Sequence, residues 1–518
     1  MKRVYPFIFV CLASFVLLCL LSMRHLGPTY DEKDNYKYGE RVLNGDPERN
    51  NLMDNTKMPF NALNVLCSKA VTYAFAKEDP VRGGRYATVL AGLILAWYVF
   101  QWSYKLYGAV PALFSLFLFS FDPNIIAHAR LVTTDIYAAL MTTVSLYYLW
   151  NFFKFGGWKN ALVAALVLGL SQTAKYTCLV FYPLGFFMGT LRYLLLCTDS
   201  YKNSEYGRIG LLTGRFLAYA AIFIAAGVLM INLSFGFART GTSLKDYKFE
   251  GRLCRSLQSN ALLSEVPVFL PYAYLKGLDM LELSNSKGLG YRNIYLLGHL
   301  KDKSKGDIKG FYGYYFFAWL LKTPLASQLI IAAALAHYYR RRRYYYFIRD
   351  EIFLVFPVLC FCIYVNFFFN IQIGVRYVLF CYPLLYVFAG SLFVNWHRFK
   401  TSAKALSAAL LVYLAASTLS YAPHFISYFN EIVWDRRQAY KFLVDSNLDW
   451  GGEEWYKDRY IMEHPGTVYQ PSKPVTGRVM VSTNELVGVY GPEKFEWLRK
   501  NYEPVGQVAY SYLIYNVR

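Results

Sequence analysis

Apolar runs of about 20 residues recur along this chain, and they limit what it can fold into more than any other feature. Helices of that length match the roughly 30 Å hydrocarbon core of a lipid bilayer. Hydrophobic residues make up 56% of the 518 residues, whereas soluble globular chains average about 45–50%. The pattern therefore predicts a polytopic α-helical membrane protein.

The runs divide into about eleven predicted crossings. The first, Val4–Met23, follows two basic residues and lacks a small-residue cleavage site, so we interpret it as a retained helix rather than a signal peptide. The shortest is Ala161–Leu170, which continues toward Thr173. The other runs are Ala87–Tyr104, Val110–Phe121, Tyr137–Phe153, Cys178–Leu196, Phe216–Phe237, Phe311–Tyr338, Ile352–Phe369, Val378–Trp396 and Ala405–Tyr421.

Charged residues between the runs predict the orientation of the chain. The sequence has 54 Lys and Arg against 34 Asp and Glu, a net charge of +20. The basic residues lie in short loops between apolar runs, as the positive-inside rule requires, and the strongest such loop contains Arg340 to Arg343. This placement excludes nucleic acid as a partner and puts the N-terminus in the cytoplasm. The segments predicted outside are Arg24–Tyr86, Asp122–Thr134, Ala238–Gly310, all residues after Tyr421, and the turns Gln172–Thr177 and Asn370–Arg376.

Two domains follow from this topology. Residues 1–421 form the predicted transmembrane domain, whose two large outer loops cover residues 24–86 and 238–310. Residues 422–518 form a predicted small extracytoplasmic α/β domain. It has a helical stretch near Glu453–Glu463 and alternating apolar residues in Arg478–Ser482 and Gln507–Val517.

Three acidic residues at the predicted outer boundary are candidates for catalysis. Asp31 and Glu32 follow the first crossing, and Asp135 begins the fourth. Carboxylates there are unfavourable to desolvate, so they either remain solvated or serve a site, for example as a base that deprotonates an acceptor. The structural alternatives are a solvated loop start and, for Asp135, a helix N-cap. Thr133 or Thr134 can supply that cap, which leaves Asp135 facing the bundle.

The positive-inside rule does not explain three basic residues on the predicted outer side. Lys175 and Arg376 lie on predicted outer turns, and Lys322 lies inside an apolar run just before Thr323-Pro324. A lysine in that position needs water, a carboxylate or an anionic ligand, although snorkelling to the interface is the structural alternative. Because Arg and Lys are the usual partners of phosphate, the acids and cations together favour a ligand with a phosphate and a reactive centre.

Other patterns that carry chemistry are lacking in the sequence. Gly83-Gly84 and Gly156-Gly157 are unaccompanied dipeptides and form no phosphate-binding loop. The seven histidines and nine cysteines show no metal-ligand spacing. A disulfide between Cys67 and Cys254, which fall on the same predicted side, is left open.

Several motifs in order along the chain resemble the phospholipid-carrier-dependent glycosyltransferases. This group includes the protein O-mannosyltransferases and the lipid A aminoarabinose transferase, and it has the C-type glycosyltransferase fold. The last two of the matching motifs resemble a bacterial branch. The motifs are Asp31-Glu32; Asp122-Pro123-Asn124 through Ala127-His128-Ala129 to Thr133-Thr134-Asp135; Ala174-Lys175-Tyr176; Leu320-Leu321-Lys322-Thr323-Pro324; Gly374 to Tyr377 followed by Tyr382-Pro383; Ile426 to Glu431; and Asp445-Ser446-Asn447-Leu448-Asp449-Trp450-Gly451.

The resemblance implies a sugar donor carried on polyprenyl phosphate, an acceptor that is a glycan, lipid or protein, and displacement with inversion at the anomeric carbon. It implies that Asp31 is the catalytic base, with Glu32 beside it and Asp135 completing an acidic pocket. A bacterial branch further implies the inner (plasma) membrane, with a periplasmic active site. The residues implied to bind the carrier phosphate are Lys175, Arg376, Lys322, Tyr377 and Lys57, the last of which stands where relatives have a His-Pro-Pro or Lys-Pro motif; His128 and Arg292 are assigned to the acceptor side.

Two other functions remain open at this point. A transporter or flippase of an anionic lipid-linked glycan would also need outer cations, although the sequence shows no inverted repeat and predicts no paired broken helices. A polysaccharide ligase or polymerase would depend on Arg and His of a large outer loop. The sequence indicates no cofactor, leaves a divalent metal ion open, and does not name the sugar or the acceptor.

Overall fold

The computed structural model describes residues 4–74, 79–288, 292–340 and 347–518. Two features used to predict topology fall wholly or partly outside these ranges. They are the N-terminal pair Lys2-Arg3 and Arg341 to Arg343 of the basic anchor.

The described part of the N-terminal half is almost entirely helical. Its helices are α1 (Tyr5–Ser22), α2 (Glu32–Leu43), α3 (Asn61–Ala74), α4 (Pro80–Tyr107), α5 (Ala109–Ser120), α6 (Pro123–Ala129), α7 (Asp135–Phe155), α8 (Trp158–Ser171), α9 (Phe181–Lys202) and α10 (Tyr206–Ser234).

Local sequence explains where these helices begin and end. The first turn of α4 is capped by Asp79, whose side chain accepts a hydrogen bond from the amide of Arg82, and a proline occupies its first position. Helices α4 and α7 end at Gly108 (φ 94°) and Gly156 (φ 67°). Positive φ is unfavourable for residues with a Cβ, so these glycines terminate the helices.

The C-terminal half combines further membrane helices with two small sheets. The helices are α11 (Arg252–Gln258), α12 (Ala261–Ser264), α13 (Tyr272–Lys287), α14 (Tyr314–Lys322), α15 (Leu325–Arg340), α16 (Ile352–Phe367), α17 (Cys381–Ala389), α18 (Thr401–Leu419), α19 (Glu454–Glu463), α20 (Thr483–Val487) and α21 (Glu496–Asn501). The strands are β1 (Ile294–Leu296), β2 (His299–Lys301), β3 (Val468–Tyr469), β4 (Gly477–Ser482), β5 (Gly506–Val508) and β6 (Tyr512–Val517).

The polytopic α-helical architecture predicted from the sequence is confirmed, but the count of about eleven crossings is not. Among the described residues, five helices are long and apolar enough to cross a bilayer, or seven if two bent pairs each count as one span. The single helices are α1, α4, α9 with the turn before it, α10 and α18. The other described helices do not meet this criterion of length and composition by themselves.

Prolines explain the bent pairs. Helices α5 and α6 meet at 64° just before Pro123, and α14 and α15 meet at 112° around Thr323-Pro324. Thr323 has the extended conformation (ψ 133°) that a following proline favours. The run Phe311–Tyr338, predicted as one crossing, is therefore divided into two helices of different direction.

The segment after α18 contains the helix and strands that the sequence predicted there. Its four-stranded sheet has the order β3-β4-β6-β5, with β4 antiparallel to β6 from Gly477↔Val517 to Ser482↔Tyr512. Leu448 and Trp450 belong to the same buried apolar cluster as the membrane helices. The C-terminal segment thus packs directly on the bundle, and the hairpin of β1 and β2 lies in the loop before α14, which the sequence predicted to be outside.

Candidate active site

Four charged side chains of alternating sign meet at one end of the helical bundle. Arg376 donates to the Asp31 carboxylate at 2.9 Å (Nη1 to Oδ2), and the same nitrogen lies 3.8 Å from Oδ2 of Asp135. Asp135 also accepts a hydrogen bond from Lys175 Nζ at 2.5 Å. The structure therefore brings together four of the residues predicted from the sequence, in the order Asp31, Arg376, Asp135, Lys175.

Each member of this cluster stands at the end of a secondary-structure element. Asp31 immediately precedes α2, and Asp135 is the first residue of α7. Lys175 precedes the short 3-10 helix Tyr176–Val180, and Arg376 lies in the 3-10 helix Val375–Val378. The prediction that a threonine side chain caps α7 is wrong, because no side-chain cap bond forms at Thr134, but Asp135 does face the interior.

Aromatic rings cover the two cations. The guanidinium carbon of Arg376 lies 4.1 Å from the centroid of the Trp450 ring, and Lys175 Nζ lies 4.7 Å from that of Tyr377. Such contacts stabilise a cation while leaving its remaining donors available. Tyr377, predicted as a phosphate-binding residue, is thus a neighbour of the cluster through its ring.

Electrostatics set the protonation of Asp31. Burial raises the pKa of this carboxyl, but the neighbouring Arg376 and Lys57 more than offset that effect and hold the pKa below its usual range. Asp31 is therefore ionised at neutral pH. Lys57 is itself buried and its charge acts on Asp31, so it lies near the cluster, and its phosphate-binding role stays a prediction.

Several buried polar atoms around the cluster have no hydrogen-bond partner among the described residues. They include Oδ2 of Asp135, Nε of Arg376 and Nδ1 of His128. Native proteins leave few such atoms unsatisfied, and those that remain are concentrated where a ligand or water binds. His128 interacts electrostatically with Asp135 and Arg376 and is 2% exposed, so the structure places it in the site.

Glu32 is not brought into the cluster. Both of its carboxylate oxygens are occupied by Arg85, at 2.8 and 2.7 Å, and by the backbone amides of Thr29 and Val132. The pair is buried, with side chains 0% and 1% exposed. Arg85 also donates to two carbonyls before α2. Glu32 therefore positions the start of α2, beside Asp31, against α4.

Removing this buried partner is expected to destabilise the fold. Glu32→Gln leaves the guanidinium of Arg85 buried without a countercharge, and breaking a buried pair in this way costs about 3 kcal/mol of unfolding free energy. Thermal unfolding of the purified protein measures it, with Glu40→Gln on an exposed part of α2 as the control. Unchanged unfolding together with lost activity would instead support the chemical role predicted from the sequence.

Lys322 is also engaged in structure. Its Nζ donates to the carbonyl of Ile426 at 2.7 Å and to that of Asn447, and it lies 4.6 Å from the ring centroid of Phe429. The lysine, 1% exposed, fastens the C-terminal segment to α14. Lys322 pairs with no carboxylate of the charged cluster, although its charge acts on His128, so its phosphate-binding role stays a prediction.

The C-terminal segment closes one side of the site through a contact that only glycine permits. Gly374 has φ 139°, and a Cβ there would lie 2.2 Å from Oγ of Ser446. Beside it, the amide of Val375 donates to Oδ1 of Asn447 at 2.9 Å. The run Asp445 to Trp450 is thereby held against Arg376.

Two carboxyls of this run were given no role on sequence grounds. Burial raises the pKa of Asp445 to about 6, although Arg376 opposes the shift, and burial raises the pKa of Asp449 to about 7. The sequence feature that could have indicated a role for them is the two acidic residues beside a tryptophan and a glycine in Asp445 to Gly451. Arg292, predicted on the acceptor side, stacks on Tyr490 at 3.7 Å and acts electrostatically on Asp445.

The charges of the cluster do not favour a divalent metal ion. Arg376 and Lys175 already neutralise both carboxylates, and they would repel a second cation at that position. Within the described ranges, the one group with three potential metal ligands is Cys254, Asp279 and Glu282. There, Asp279 and Glu282 accept hydrogen bonds from backbone amides at the start of α11. These bonds explain why the two carboxylates lie close together.

Residues 69–205 match the family model described as dolichyl-phosphate-mannose-protein mannosyltransferase. This segment is about a quarter of the chain and includes Asp135 and Lys175, while Asp31 precedes it and Arg376 follows it. The predicted resemblance to phospholipid-carrier-dependent glycosyltransferases is confirmed over these residues. No curated protein matches the sequence.

Solved membrane enzymes show a distant likeness to the chain. ArnT from Cupriavidus metallidurans is 12% identical, with 99% of this chain and 97% of that chain covered and a TM-score of 0.40. It has also been solved bound to undecaprenyl phosphate, with a TM-score of 0.30. The oligosaccharyltransferase AglB from Archaeoglobus fulgidus, solved with an inhibitory peptide and a dolichol-phosphate, is 14% identical over 88% of this chain, with a TM-score of 0.43. The chain spans 60% of the length of AglB.

Proposed function

We propose that this chain is an integral membrane glycosyltransferase with the C-type fold. It transfers a sugar from a polyprenyl-phosphate carrier to an acceptor on the non-cytoplasmic face. The observation that carries the proposal is the alternating cluster, in which Arg376 lies between two carboxylates and Lys175 pairs with the second. A reaction that needs a base and releases a phosphate requires both kinds of group at one place.

The cations form the donor half of the proposed site. Arg376 offers a planar fork that suits the oxygens of a phosphodiester, and Lys175 and Lys57 add positive charge. These groups stabilise the negative charge that develops on the leaving phosphate. The family model that matches residues 69–205 is named for a donor of this class, a sugar on a lipid phosphate.

Asp31 is the proposed base. It takes the proton of the acceptor, the acceptor atom then bonds to the anomeric carbon from the side opposite the leaving group, and the bond from that carbon to the phosphate oxygen breaks. The electron pair of the broken bond leaves with the polyprenyl phosphate. Configuration at the anomeric carbon is inverted, and Asp31 returns its proton to solvent.

Donor binding would also activate the base. In the structure Arg376 lies between Asp31 and Asp135. Its guanidinium lowers the pKa of Asp31, and this makes the Asp31 carboxylate a weak base. A donor phosphate that takes over the guanidinium would weaken that pairing, so the pKa of Asp31 rises toward a value suited to proton transfer. The base would thus reach full strength only when the donor is in place.

Donor affinity is expected to fall as pH rises from about 5 to 7. The pKa of Asp445 is raised to about 6, so this carboxyl gains a negative charge beside Arg376 over that interval. Added repulsion of ~1 kcal/mol would weaken binding of the anionic donor by about fivefold. Equilibrium binding across the pH range measures it. Asp445→Asn should reduce the trend to the part contributed by Asp449, and the exposed Asp307→Asn should keep it in full; a trend identical in all three proteins would contradict the assignment.

A vesicle assay separates the proposed enzyme from a transporter. Purified protein is placed in liposomes with a radiolabelled polyprenyl-phosphate sugar, and an extract of candidate acceptors is added outside. Label that moves from the carrier to an acceptor, with release of polyprenyl phosphate, is the expected result. Label that crosses the bilayer while still attached to its carrier would overturn the proposal and favour a flippase.

A further inference from the structure

A cavity of about 370 Å³ lies between α7, α8, α9 and α10. Its walls are mainly apolar and rich in aromatic rings, and among the residues that line it Phe186 and Ile224 are exposed on the outside of the bundle. Helices α9 and α10 bury few of their side chains, as expected for helices that face lipid. The cavity is therefore open toward the bilayer, and its volume is within the range of ligand-binding pockets.

This cavity is at the end of the bundle opposite the charged cluster. Asp135 begins α7, whereas the cavity is lined by Phe152 and Phe153 at the other end of that helix. At 1.5 Å per residue, 17 residues of helix separate the two places by about 25 Å. A ligand of the cavity would therefore be distinct from one at the candidate active site.

Two glycines on one face of α9 create the space. Gly185 and Gly189 are four residues apart and both line the cavity. A Cβ added at Gly189 would lie 3.7 and 3.8 Å from the rings of Phe216 and Phe153, which is ordinary contact. A larger side chain at Gly189 would extend into the open volume, so this position offers a means of filling it.

Two arginines line the same cavity. Arg192 and Arg215 are exposed, and neither forms an ion pair with a carboxylate in the described ranges. Arg192 donates to the carbonyl of Phe153, and the charge of Arg349 acts on it from nearby. The positive-inside rule accounts for basic residues at helix ends. Arg192 is ten residues before the end of α9, but its contact with Phe153 places it level with the end of α7, where an anionic lipid headgroup can reach it.

We propose that the cavity binds one anionic lipid. Its phosphate would interact with Arg192 and Arg215, and its apolar chain would lie along the aromatic wall opened by Gly185 and Gly189. Charged guanidinium groups at an apolar, lipid-facing cavity need an anion, and a lipid phosphate supplies both the charge and the chain. The site does not depend on the proposed glycosyltransferase activity.

Lipid binding to the delipidated full-length protein in detergent tests this inference. Phosphatidylglycerol, undecaprenyl phosphate and phosphatidylcholine are titrated separately and retained lipid is quantified by native mass spectrometry. Phosphatidylglycerol should bind about tenfold more tightly than phosphatidylcholine, whose phosphate is neutralised by its own headgroup. Equal affinity for these two lipids would overturn the proposal.

Paired variants locate the site. Arg192→Gln combined with Arg215→Gln should remove the preference for phosphatidylglycerol, whereas Arg208→Gln, at the exposed start of α10, should keep it. Gly189→Leu should abolish binding by filling the cavity, whereas Gly210→Leu, which meets open space, should not. Thermal unfolding confirms that each variant is folded. Binding that is unchanged in both the arginine and the Gly189 variants would overturn the proposal.

The undecaprenyl phosphate arm identifies the source of the phosphate. If the double arginine variant loses one undecaprenyl phosphate per protein, the cavity accepts prenyl carriers as well as phospholipids. If it loses only phosphatidylglycerol, the occupant is a phospholipid. Either result supports a lipid-phosphate site. Arg376→Gln serves as the comparison here, because it affects only the prenyl phosphate bound at the opposite end.

Discussion

Asp31→Asn is expected to lower the rate of sugar transfer by about 10²–10⁴-fold, the usual contribution of a general base. The amide has the size of the carboxylate and can still accept a hydrogen bond from Arg376, so the change removes basicity with little change of shape. Initial rates are measured with purified protein, labelled donor and saturating acceptor.

The matched control is Asp34→Asn. Asp34 lies in α2, the helix that begins directly after Asp31. Its side chain is exposed and lies outside the charged cluster. We expect transfer rates within about twofold of the unmodified protein for this control, since exposed substitutions away from a site have small effects. Equal rates for Asp31→Asn and Asp34→Asn would remove Asp31 from its proposed role.

Arg376→Gln is expected to weaken donor binding and to lower turnover by about 10²–10³-fold, as loss of one charge-stabilising donor does in other enzymes. Glutamine cannot neutralise a phosphate, and it leaves the carboxylates of Asp31 and Asp135 without the cation between them. Donor affinity and steady-state rates are measured separately, so that a loss of binding is distinguished from a loss of the chemical step.

Two further variants interpret that result. Arg376→Lys keeps the charge but not the planar fork, so it should recover part of the affinity. Arg239→Gln changes an arginine that is half-exposed and pairs with Glu48, away from the charged cluster, and it should leave donor affinity unchanged. If Arg376→Gln bound the donor as tightly as the unmodified protein, the phosphate would have to be bound elsewhere.

The four members of the cluster could be selected from the sequence because each is an ionisable residue that topology does not explain. Asp31, Asp135, Lys175 and Arg376 all fall on the predicted outer side, near the ends of apolar runs. Their pairing could not be predicted. It depends on how segments more than 300 residues apart pack, as the contact between Asp31 and Arg376 shows.

Glu32 and Lys322 have partners that this reasoning could not identify. Both are buried and ionisable, which the sequence indicated, but their partners were not recognisable. Arg85 looks like a basic residue at the start of a span, although it is the countercharge of Glu32. The ammonium group of Lys322 donates hydrogen bonds to two backbone carbonyls. Because every residue has a carbonyl, no pattern of side chains can identify such partners.

The predicted number of crossings is not confirmed, for a related reason. Apolar runs show that a segment is buried or faces lipid, but a bend depends on the local backbone. Pro123 and Pro324 were visible in the sequence, yet the angles of 64° and 112° follow from how the flanking helices pack. The sheet after α18, in contrast, follows from simple alternation in two of its strands.

Donor affinity of the Asp31→Asn protein tests the central claim most directly, because the acids and the cations are proposed to have different tasks. Asp31 competes with the donor phosphate for Arg376, so the variant should bind a polyprenyl-phosphate sugar at least as tightly as the unmodified protein while failing to transfer the sugar. Arg376→Gln, measured in parallel, should bind it far more weakly. Donor affinity that falls in Asp31→Asn as much as in Arg376→Gln would contradict the division of the site.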